Sequence, residues 1–341
     1  MKTRFTSHTH NMDGSMYVPQ PSSDDTAKPF RYRGLLQPSF PSYQTGKFRA
    51  ILHMRFFHGG PYSLTRHHAI MVGMKCKEVR KMMPVMFIGH GSPMNAIEDN
   101  EFTRSWKRIA ESIPVPSAIL CVSAHWLTKG TRVSTLEDPQ TIHDFSGFPK
   151  ALFDVEYPAK GSPELAAKTL DLLSPFATGD SSWGTDHGTW SVLHIMYPDA
   201  DIPVFQLSID RMAKPEELFE IGRKLQPLRK ENVLILGSGN IVHNLRMVDF
   251  SVKGGFPWAE TFDRFIADKV GTRDFDSILS YGTLGEAARL AVPTTEHFNP
   301  LLYVLGAASP EDAVTVYNDT CIAGSLSMTS YVFASKDSQP E

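Results

Sequence analysis

The chain has 341 residues, a length that corresponds to about two domains, and a nearly balanced charge of 34 Lys and Arg against 37 Asp and Glu. That balance argues against general nucleic-acid binding through the main fold, because such proteins carry an excess of basic side chains. The three cysteines have no paired spacing, which excludes a disulfide framework and favours a reducing compartment. No apolar run approaches the roughly 18 residues of a membrane-spanning helix, so we expect a soluble protein.

Residues 1–82 differ from the rest in composition. They hold thirteen Lys and Arg against four acidic residues, six of the thirteen histidines, and little apolar periodicity. A metal-binding or nucleic-acid-binding arm, an organellar transit peptide and an upstream stretch joined in error are all compatible with that composition. The poor apolar pattern favours a disordered extension, because such a segment cannot bury a core. We therefore predict an extension over 1–82, a folded domain over 83–335 and a tail over 336–341.

From residue 84 onward, the chain alternates apolar strand patterns with helical ones. Strands are predicted at 85–89, 118–123, 203–208, 233–236 and 322–333. Helices are predicted at 100–112, 162–173, 215–228, 258–270 and from residue 294 or 295 to 306. The first strand, the first helix and the second strand form a β-loop-α-β unit, which implies parallel strands. Residues 126–160 are loop-rich, and a long ordered loop is usually functional.

Three of the predicted strands are each followed by a histidine, namely His90, His125 and His243. Gly237 and Gly239 are expected to turn the chain sharply after the third of these strands. One such histidine is usually only a hydrogen-bonded loop residue, but ligands of open α/β sheets bind outside the carboxyl ends of the strands. The sequence therefore predicts a single α/β domain with a central, mostly parallel sheet flanked by helices, and a metal site at the carboxyl ends of the strands.

Metal chemistry is what remains after other motifs are excluded. The chain has no GxSxG nucleophile elbow, no GxxxxGK[ST] phosphate loop, no complete dinucleotide fingerprint and no HExxH zinc-protease motif. His194 lies among apolar neighbours, which indicates a packing role. His297 is expected in the first turn of a helix, where the helix dipole favours the neutral imidazole that binds metal.

Several motifs of the folded part resemble those of one enzyme family. They are His90 to Asn95, Ser123 to Trp126, the His143 segment, Trp183 to Trp190, Gln206 to Asp210, Ser238 to Arg246, Pro300 to Gly306 and Gly324 to Met328. In this order they resemble the DOPA-type extradiol aromatic ring-opening dioxygenases, which belong with class III extradiol enzymes such as protocatechuate 4,5-dioxygenase. The resemblance covers residues 84–333 and makes 83–335 the catalytic domain.

The resemblance implies that His90 and His125 are metal ligands, and that His297 occupies the place where protocatechuate-type relatives use a glutamate. With a neutral third ligand, the ion keeps one more unit of positive charge than in the 2-His-1-carboxylate triad of non-haem Fe(II) oxygenases. A histidine-rich site also suits Zn(II). We therefore expect one divalent metal per subunit, Fe(II) for ring cleavage and Zn(II) in purified protein.

The resemblance also implies roles for three further histidines. His243 matches the histidine that the relatives use as an acid/base, and it is expected to join the metal as a fourth ligand in a resting zinc form. His187 is expected to serve as a second catalytic group near the substrate, and His143 and His187 to bind or orient that substrate. The implied substrates are O2 and a small catechol, DOPA or a related one, with no nucleic-acid or membrane partner. An oligomer is compatible with the sequence.

Two other functions stay open on the sequence. A zinc-dependent hydrolase on the same scaffold needs only a metal-bound water and a base. A non-enzymatic binding protein could keep the fold and its pocket, because a fold alone does not fix function. A cytoplasmic location is expected, and targeting to an organelle by residues 1–82 stays compatible with the sequence.

Overall fold

The computed structural model describes residues 82–335. The predicted extension, apart from its last residue, and the predicted tail at 336–341 lie outside the described part of the chain. The described strands are β1 (Val85–Gly89), β2 (Ala118–Thr128), β3 (Thr131–Ser134), β4 (Ala177–Asp180), β5 (Val204–Asp210), β6 (Val233–Gly239), β7 (Asp312–Tyr317), β8 (Cys321–Ile322), β9 (Leu326–Ser327) and β10 (Ser330–Ser335). The first seven and β10 form one sheet in the order β4-β3-β5-β2-β6-β1-β10-β7, and β8 pairs with β9.

The centre of the large sheet is parallel, as the sequence predicts. Strands β5, β2, β6 and β1 are paired in parallel, so their carboxyl ends meet at one edge. Antiparallel pairing appears toward the sides, where β10 joins β1, β7 joins β10 and β3 joins β5. The predicted fold, a mostly parallel α/β sheet in one domain, is confirmed.

Nine α-helices lie within residues 82–335. They are α1 (Glu101–Ser112), α2 (Lys150–Phe153), α3 (Pro163–Leu173), α4 (His187–Met196), α5 (Pro215–Leu225), α6 (Pro257–Thr272), α7 (Phe275–Leu279), α8 (Glu286–Ala291) and α9 (Asn299–Ala307). The first begins where the sequence predicts, because the Asn100 side chain accepts hydrogen bonds from the backbone N–H groups of Phe102 and Thr103. No described helix is both long and apolar enough to cross a bilayer.

Both faces of the sheet are covered. Along β1, Val85 and Phe87 face one apolar cluster and Met86 and Ile88 face the other, as the two-residue period of a strand requires. The first cluster takes in residues of α3, α5, α6 and α9, and the second takes in residues of α1 and α4. A strand buried on both faces reads as a continuous apolar run, which is why the central strands could be found from the sequence.

The two glycines of β6 do not turn the chain, so that prediction is wrong. Gly237 and Gly239 lie inside the strand, and neither has a positive φ. A Cβ atom on Gly237 would lie 2.7 Å from the Pro300 carbonyl oxygen, and one on Gly239 would lie 2.1 Å from that of His297. These glycines therefore let the chain at the start of α9 approach the strand at backbone distance.

Two predicted elements are cut short or broken in the structure, and one helix was not predicted. The helix predicted at 215–228 stops being α-helical at Leu225, because Pro227 lacks the N–H that would continue it. The closing strand predicted at 322–333 is broken by Ala323 and Gly324, which have φ of 48° and 76°. Helix α4 was not predicted, because it is buried on nearly all sides and shows no polar face.

Candidate metal centre

His90 follows β1 directly, and its ring is held in one tautomer. Its Nδ1 lies 2.9 Å from the Ser238 hydroxyl, and that hydroxyl donates to the Gly188 carbonyl oxygen at 2.5 Å. A hydroxyl has one hydrogen to donate, so Ser238 must accept from the Nδ1–H of His90. The Nε2 atom of this buried histidine therefore keeps its lone pair.

His125 supplies a second ring to the same point. Its Nε2 lies 3.4 Å from the Nε2 of His90, a separation that one ion could span. The prediction that His125 follows its strand is wrong, because β2 continues through it to Thr128. The register between β2 and β5 shifts between Val122 and Leu127, so the strand is irregular around the histidine.

His297 reaches the centre from the turn that precedes α9. The prediction that it lies in a helix is wrong, since the helix begins at Asn299 with Pro300 in its first turn. The turn is fixed to β6, because the His297 carbonyl oxygen accepts from the Asn240 N–H at 2.8 Å. This hydrogen bond and the close approach to Gly239 thus position the residue.

His187 and His243 complete the cluster. His187 is the first residue of α4, and its ring centroid lies 3.7 Å from that of His125. His243 follows β6, and its ring stacks on that of His297 with centroids 3.5 Å apart. His90 lies between the two pairs, with its centroid 6.1 Å from His187 and 5.3 Å from His297.

Two groups of potential ligands are therefore adjacent. In each of them, the nitrogen or oxygen atoms lie within 4.8 Å of one another. The first group contains His90, His125 and His187, and the second contains His243, Glu296 and His297. The structure thus brings together all four histidines predicted to hold metal, and it adds His187 to the first group.

Comparison with known proteins identifies the chain. The family model described as the catalytic LigB subunit of aromatic ring-opening dioxygenase matches residues 83–334. The chain belongs to this LigB family. The resemblance predicted from the sequence is confirmed, and the protein is an extradiol ring-cleaving dioxygenase.

Relatives within the LigB family cover most of the described domain. A 4,5-DOPA dioxygenase extradiol of Escherichia coli (strain K12) is 47% identical over 254 residues, which span 73% of this chain and 93% of that protein. A 4,5-DOPA dioxygenase extradiol of Beta vulgaris is 38% identical over 257 residues, which span 73% of this chain and 96% of that protein. A crystal structure of an uncharacterized protein from Escherichia coli K12 superimposes with a TM-score of 0.63 at 43% identity, covering 73% of this chain and 99% of that one.

The electrostatics of the LigB-type site keep four of its histidines neutral. Burial, followed by repulsion from neighbouring imidazoles, lowers the pKa of His90 and His297 well below the ordinary value. Burial lowers the pKa of His125 and of His243 to about 4. Metals bind neutral imidazole, and an imidazole-rich donor set suits iron or zinc, so the residues present fit a divalent transition metal.

Two carboxylates contact the outer sides of these rings. Asp144 Oδ1 lies 2.8 Å from the Nδ1 of His187, and Glu296 Oε1 lies 3.3 Å from the Nδ1 of His297. Partial desolvation raises the pKa of Asp144, but hydrogen bonds from the ring and backbone of His187 lower it by more, so the net shift is downward. Sequence reasoning missed Asp144, although it directly follows His143 in one of the matching motifs. It also assigned no role to Glu296.

His143 has a different environment from the other histidines. Its Nε2 lies 2.9 Å from the Val155 carbonyl oxygen, which can only accept, so the proton is on Nε2 and the lone pair on Nδ1. Its ring packs against Phe145, Phe153 and Trp190. The predicted substrate-binding role of His143 stays a prediction.

Proposed function

We propose that this LigB-family protein opens the ring of a small catechol, DOPA or a related one, in the extradiol position, using O2 and one Fe(II) per subunit. The observation that carries the proposal is the convergence of five histidines at the carboxyl edge of the parallel sheet. The E. coli and Beta vulgaris relatives, both named 4,5-DOPA dioxygenase extradiol, support DOPA as the first substrate to test.

His90, His125 and His297 would hold the ion, and His243 is assigned as the base. The metal content of His243→Ala decides whether His243 is also a fourth ligand in a resting zinc form. The Nε2 atoms of His90 and His125 are 3.4 Å apart. The ring centroid of His297 lies 5.3 Å from the ring centroid of His90 and 5.1 Å from that of His125. When bound, Fe(II) supplies a redox-active centre that a catechol and O2 can share. Zn(II) has no accessible redox change, so the zinc form should not cleave the ring.

Proton transfer is assigned to His243. Its ring stacks on the predicted ligand His297, which places it beside substrate bound at the centre. The pKa of His243 is lowered to about 4 by burial, so at neutral pH it has a free lone pair and can accept the proton of a substrate hydroxyl.

His187 is assigned to orient the substrate from the opposite side. The Asp144 carboxylate can only accept, so the proton of His187 is on Nδ1 and its Nε2 is free to accept from a substrate hydroxyl. The edge of Phe145 packs against His187 with centroids 5.4 Å apart, and Trp190 lies next to Phe145. Trp190 is fully buried behind Phe145, whose partly exposed ring offers an apolar surface that suits a flat aromatic substrate.

The protein should be loaded with Fe(II) without oxygen and then exposed to O2 and DOPA. Ring opening next to the two hydroxyls yields a yellow semialdehyde, and with ¹⁸O2 both oxygen atoms should appear in the product. The Zn(II)-loaded protein is the control and should give none. An iron-loaded protein that forms no semialdehyde from DOPA or other small catechols contradicts the proposal. Hydrolysis of an ester by the zinc form would then favour the hydrolase alternative.

The extent of the catalytic domain and the cellular location of the protein are also part of the proposed function. We propose that residues 83–335 form the whole catalytic domain, in agreement with the 83–334 match to the family. The two cysteines within residues 82–335, Cys121 and Cys321, are buried and unpaired, which supports the proposed cytoplasmic location. Organelle import of a fluorescent fusion of the whole chain would contradict that location.

A further inference from the structure

The carboxylate of Asp144 lies between two histidines of the site. Its Oδ1 accepts from the Nδ1 of His187 at 2.8 Å and from the His187 backbone N–H at 3.0 Å. Its other oxygen, Oδ2, lies 3.4 Å from the Nδ1 of His125. One side chain thus contacts a predicted metal ligand and a predicted substrate-orienting histidine on their outer sides.

The segment that carries Asp144 is fastened to the start of α4. Ile142 donates its N–H to the Thr185 carbonyl oxygen at 2.8 Å, and its own carbonyl oxygen accepts from the Trp190 indole at 2.9 Å. The Asp144 side chain keeps 20% of its surface exposed, and those of His125 and His187 keep 18% and 7%. The carboxylate is therefore held in place by the backbone around it and sits at the boundary between the site and solvent.

We infer that Asp144 is a positioning residue that sets the tautomer and orientation of His125 and His187 together. A carboxylate can only accept, so it favours the Nδ1–H form of both rings and leaves both Nε2 lone pairs free. This inference rests on the proposed function and deepens it: the loop carboxylate couples the metal ligand to the group that orients the substrate.

Asp144→Asn tests the tautomer directly. The amide oxygen should stay on His187, where it can accept from both the ring and the backbone N–H. The amide N–H₂ then faces Nδ1 of His125 and donates to it, which holds the His125 proton on Nε2 and opposes metal binding. Asp144→Ala removes both acceptors without adding a donor, so its effect should be smaller.

The readouts are independent of turnover. Zn(II) affinity is measured by competition with a chromophoric chelator, and the histidine tautomers of metal-free protein are read from ¹H–¹⁵N correlation spectra, with His125→Gln and His187→Gln for assignment. We expect a roughly 10- to 100-fold loss of Zn(II) affinity in Asp144→Asn and a smaller loss in Asp144→Ala. The Nδ1–H form of His187 should be kept in Asp144→Asn and lose its preference in Asp144→Ala.

Asp154→Asn is the matched control, since Asp154 lies in the same segment, is more than half exposed, and pairs only with Lys150. It should bind Zn(II) like the wild type. Wild-type affinity in both Asp144 variants, or an unchanged His187 tautomer in Asp144→Ala, overturns the inference. If the wild type binds Zn(II) but the iron form cleaves no catechol, the proposed function fails while the inference on Asp144 stands.

Discussion

The imidazole of His243 lies flat against that of His297, with ring centroids 3.5 Å apart and planes within 10° of parallel. The two residues come from different elements, since His243 follows β6 and His297 precedes α9. One nitrogen of each ring lies within 4.8 Å of a nitrogen of the other, so an ion held by one ring lies within reach of the other. This relationship makes it an experimental question whether His243 is a base or a ligand.

Metal content should separate the ligands from the base. His90→Ala, His125→Ala and His297→Ala should each lose metal, because each removes one of three nitrogen ligands. His243→Ala should keep most of its metal and turn over roughly 10²- to 10⁴-fold more slowly, as expected for a lost general base. Metal analysis of the four variants under identical loading checks this. A His243→Ala protein as empty as His90→Ala makes His243 a fourth ligand, and His187 then inherits the acid/base role.

Gly239→Val should damage the site through His297. A Cβ atom at this position would lie 2.1 Å from the His297 carbonyl oxygen, so the turn before α9 must move. We expect a loss of stability of about 1–3 kcal/mol from overpacking, together with weaker Zn(II) binding. Urea unfolding and chelator competition measure the two effects. Gly271→Val, where no atom lies within 4 Å of an added Cβ, is the control and should bind Zn(II) normally. Unchanged Zn(II) binding in Gly239→Val would show that the turn tolerates the displacement.

Asp263 should make stability depend on pH. Burial raises the pKa of this carboxyl from its ordinary value of 3.8 to about 6, although hydrogen bonds from Ser327 and Thr329 oppose the shift. Because the folded pKa is raised, the stabilisation from this group is complete below pH 3.8 and is lost as the pH rises through about 6. Over this pH range, the free energy of unfolding should fall by about 3 kcal/mol.

Asp263→Asn imitates the protonated carboxyl and should remove that dependence. Metal-free Asp263→Asn should match the wild type at pH 3.8 or below and exceed it in free energy of unfolding near pH 8, by up to about 3 kcal/mol. Urea unfolding at both pH values tests this. Asp268→Asn, an exposed change in the same helix, serves as the control and should show no such difference. A pH-independent effect of Asp263→Asn contradicts the titration argument.

Arg229 should be a major contributor to stability at the start of the domain. Its guanidinium is fully buried, pairs with Asp312 at 2.7 Å and donates to the Met83 carbonyl oxygen at 2.7 Å. Arg229→Ala leaves the Asp312 carboxylate buried without its partner, which should cost about 3–5 kcal/mol in free energy of unfolding. Arg104→Ala breaks an exposed pair with Asp99, which solvent screens, so its loss of stability should be much smaller. Equal losses in the two variants would show that burial does not matter here.

Deleting residues 1–82 should leave folding, metal binding and ring cleavage intact. The family match begins at residue 83, and Met83 makes two hydrogen bonds with Arg229: its N–H donates to the Arg229 carbonyl oxygen, and its carbonyl oxygen accepts from the Arg229 guanidinium. The truncated protein retains those contacts, so the first strand keeps its anchor. Thermal unfolding, Zn(II) affinity and turnover of the truncated and full chains decide the point. An insoluble or metal-free truncated protein would show that the extension contributes to the domain.

The sequence by itself determined the central sheet and three of its histidines. Strands β1 and β6 are buried on both faces, so their apolar runs are visible locally, and the parallel order follows from the helices between them. Because parallel strands share a carboxyl edge, His90, His125 and His243 could be assigned to one site in advance. The motifs around them also sufficed to predict the family.

Only the tertiary structure decided how that site is held. The role of Gly239 depends on the backbone of His297, and the tautomer of His90 depends on Ser238 and Gly188. Asp144 meets His187 across 43 positions of the chain. None of these contacts leaves a periodic signal, because each is a single pairing between distant segments that forms only when the sheet and its helices pack. Hydrophobic periodicity in a sequence indicates which residues are buried. The nitrogen of a histidine that carries the lone pair depends instead on which polar group the fold places beside the other nitrogen of the imidazole.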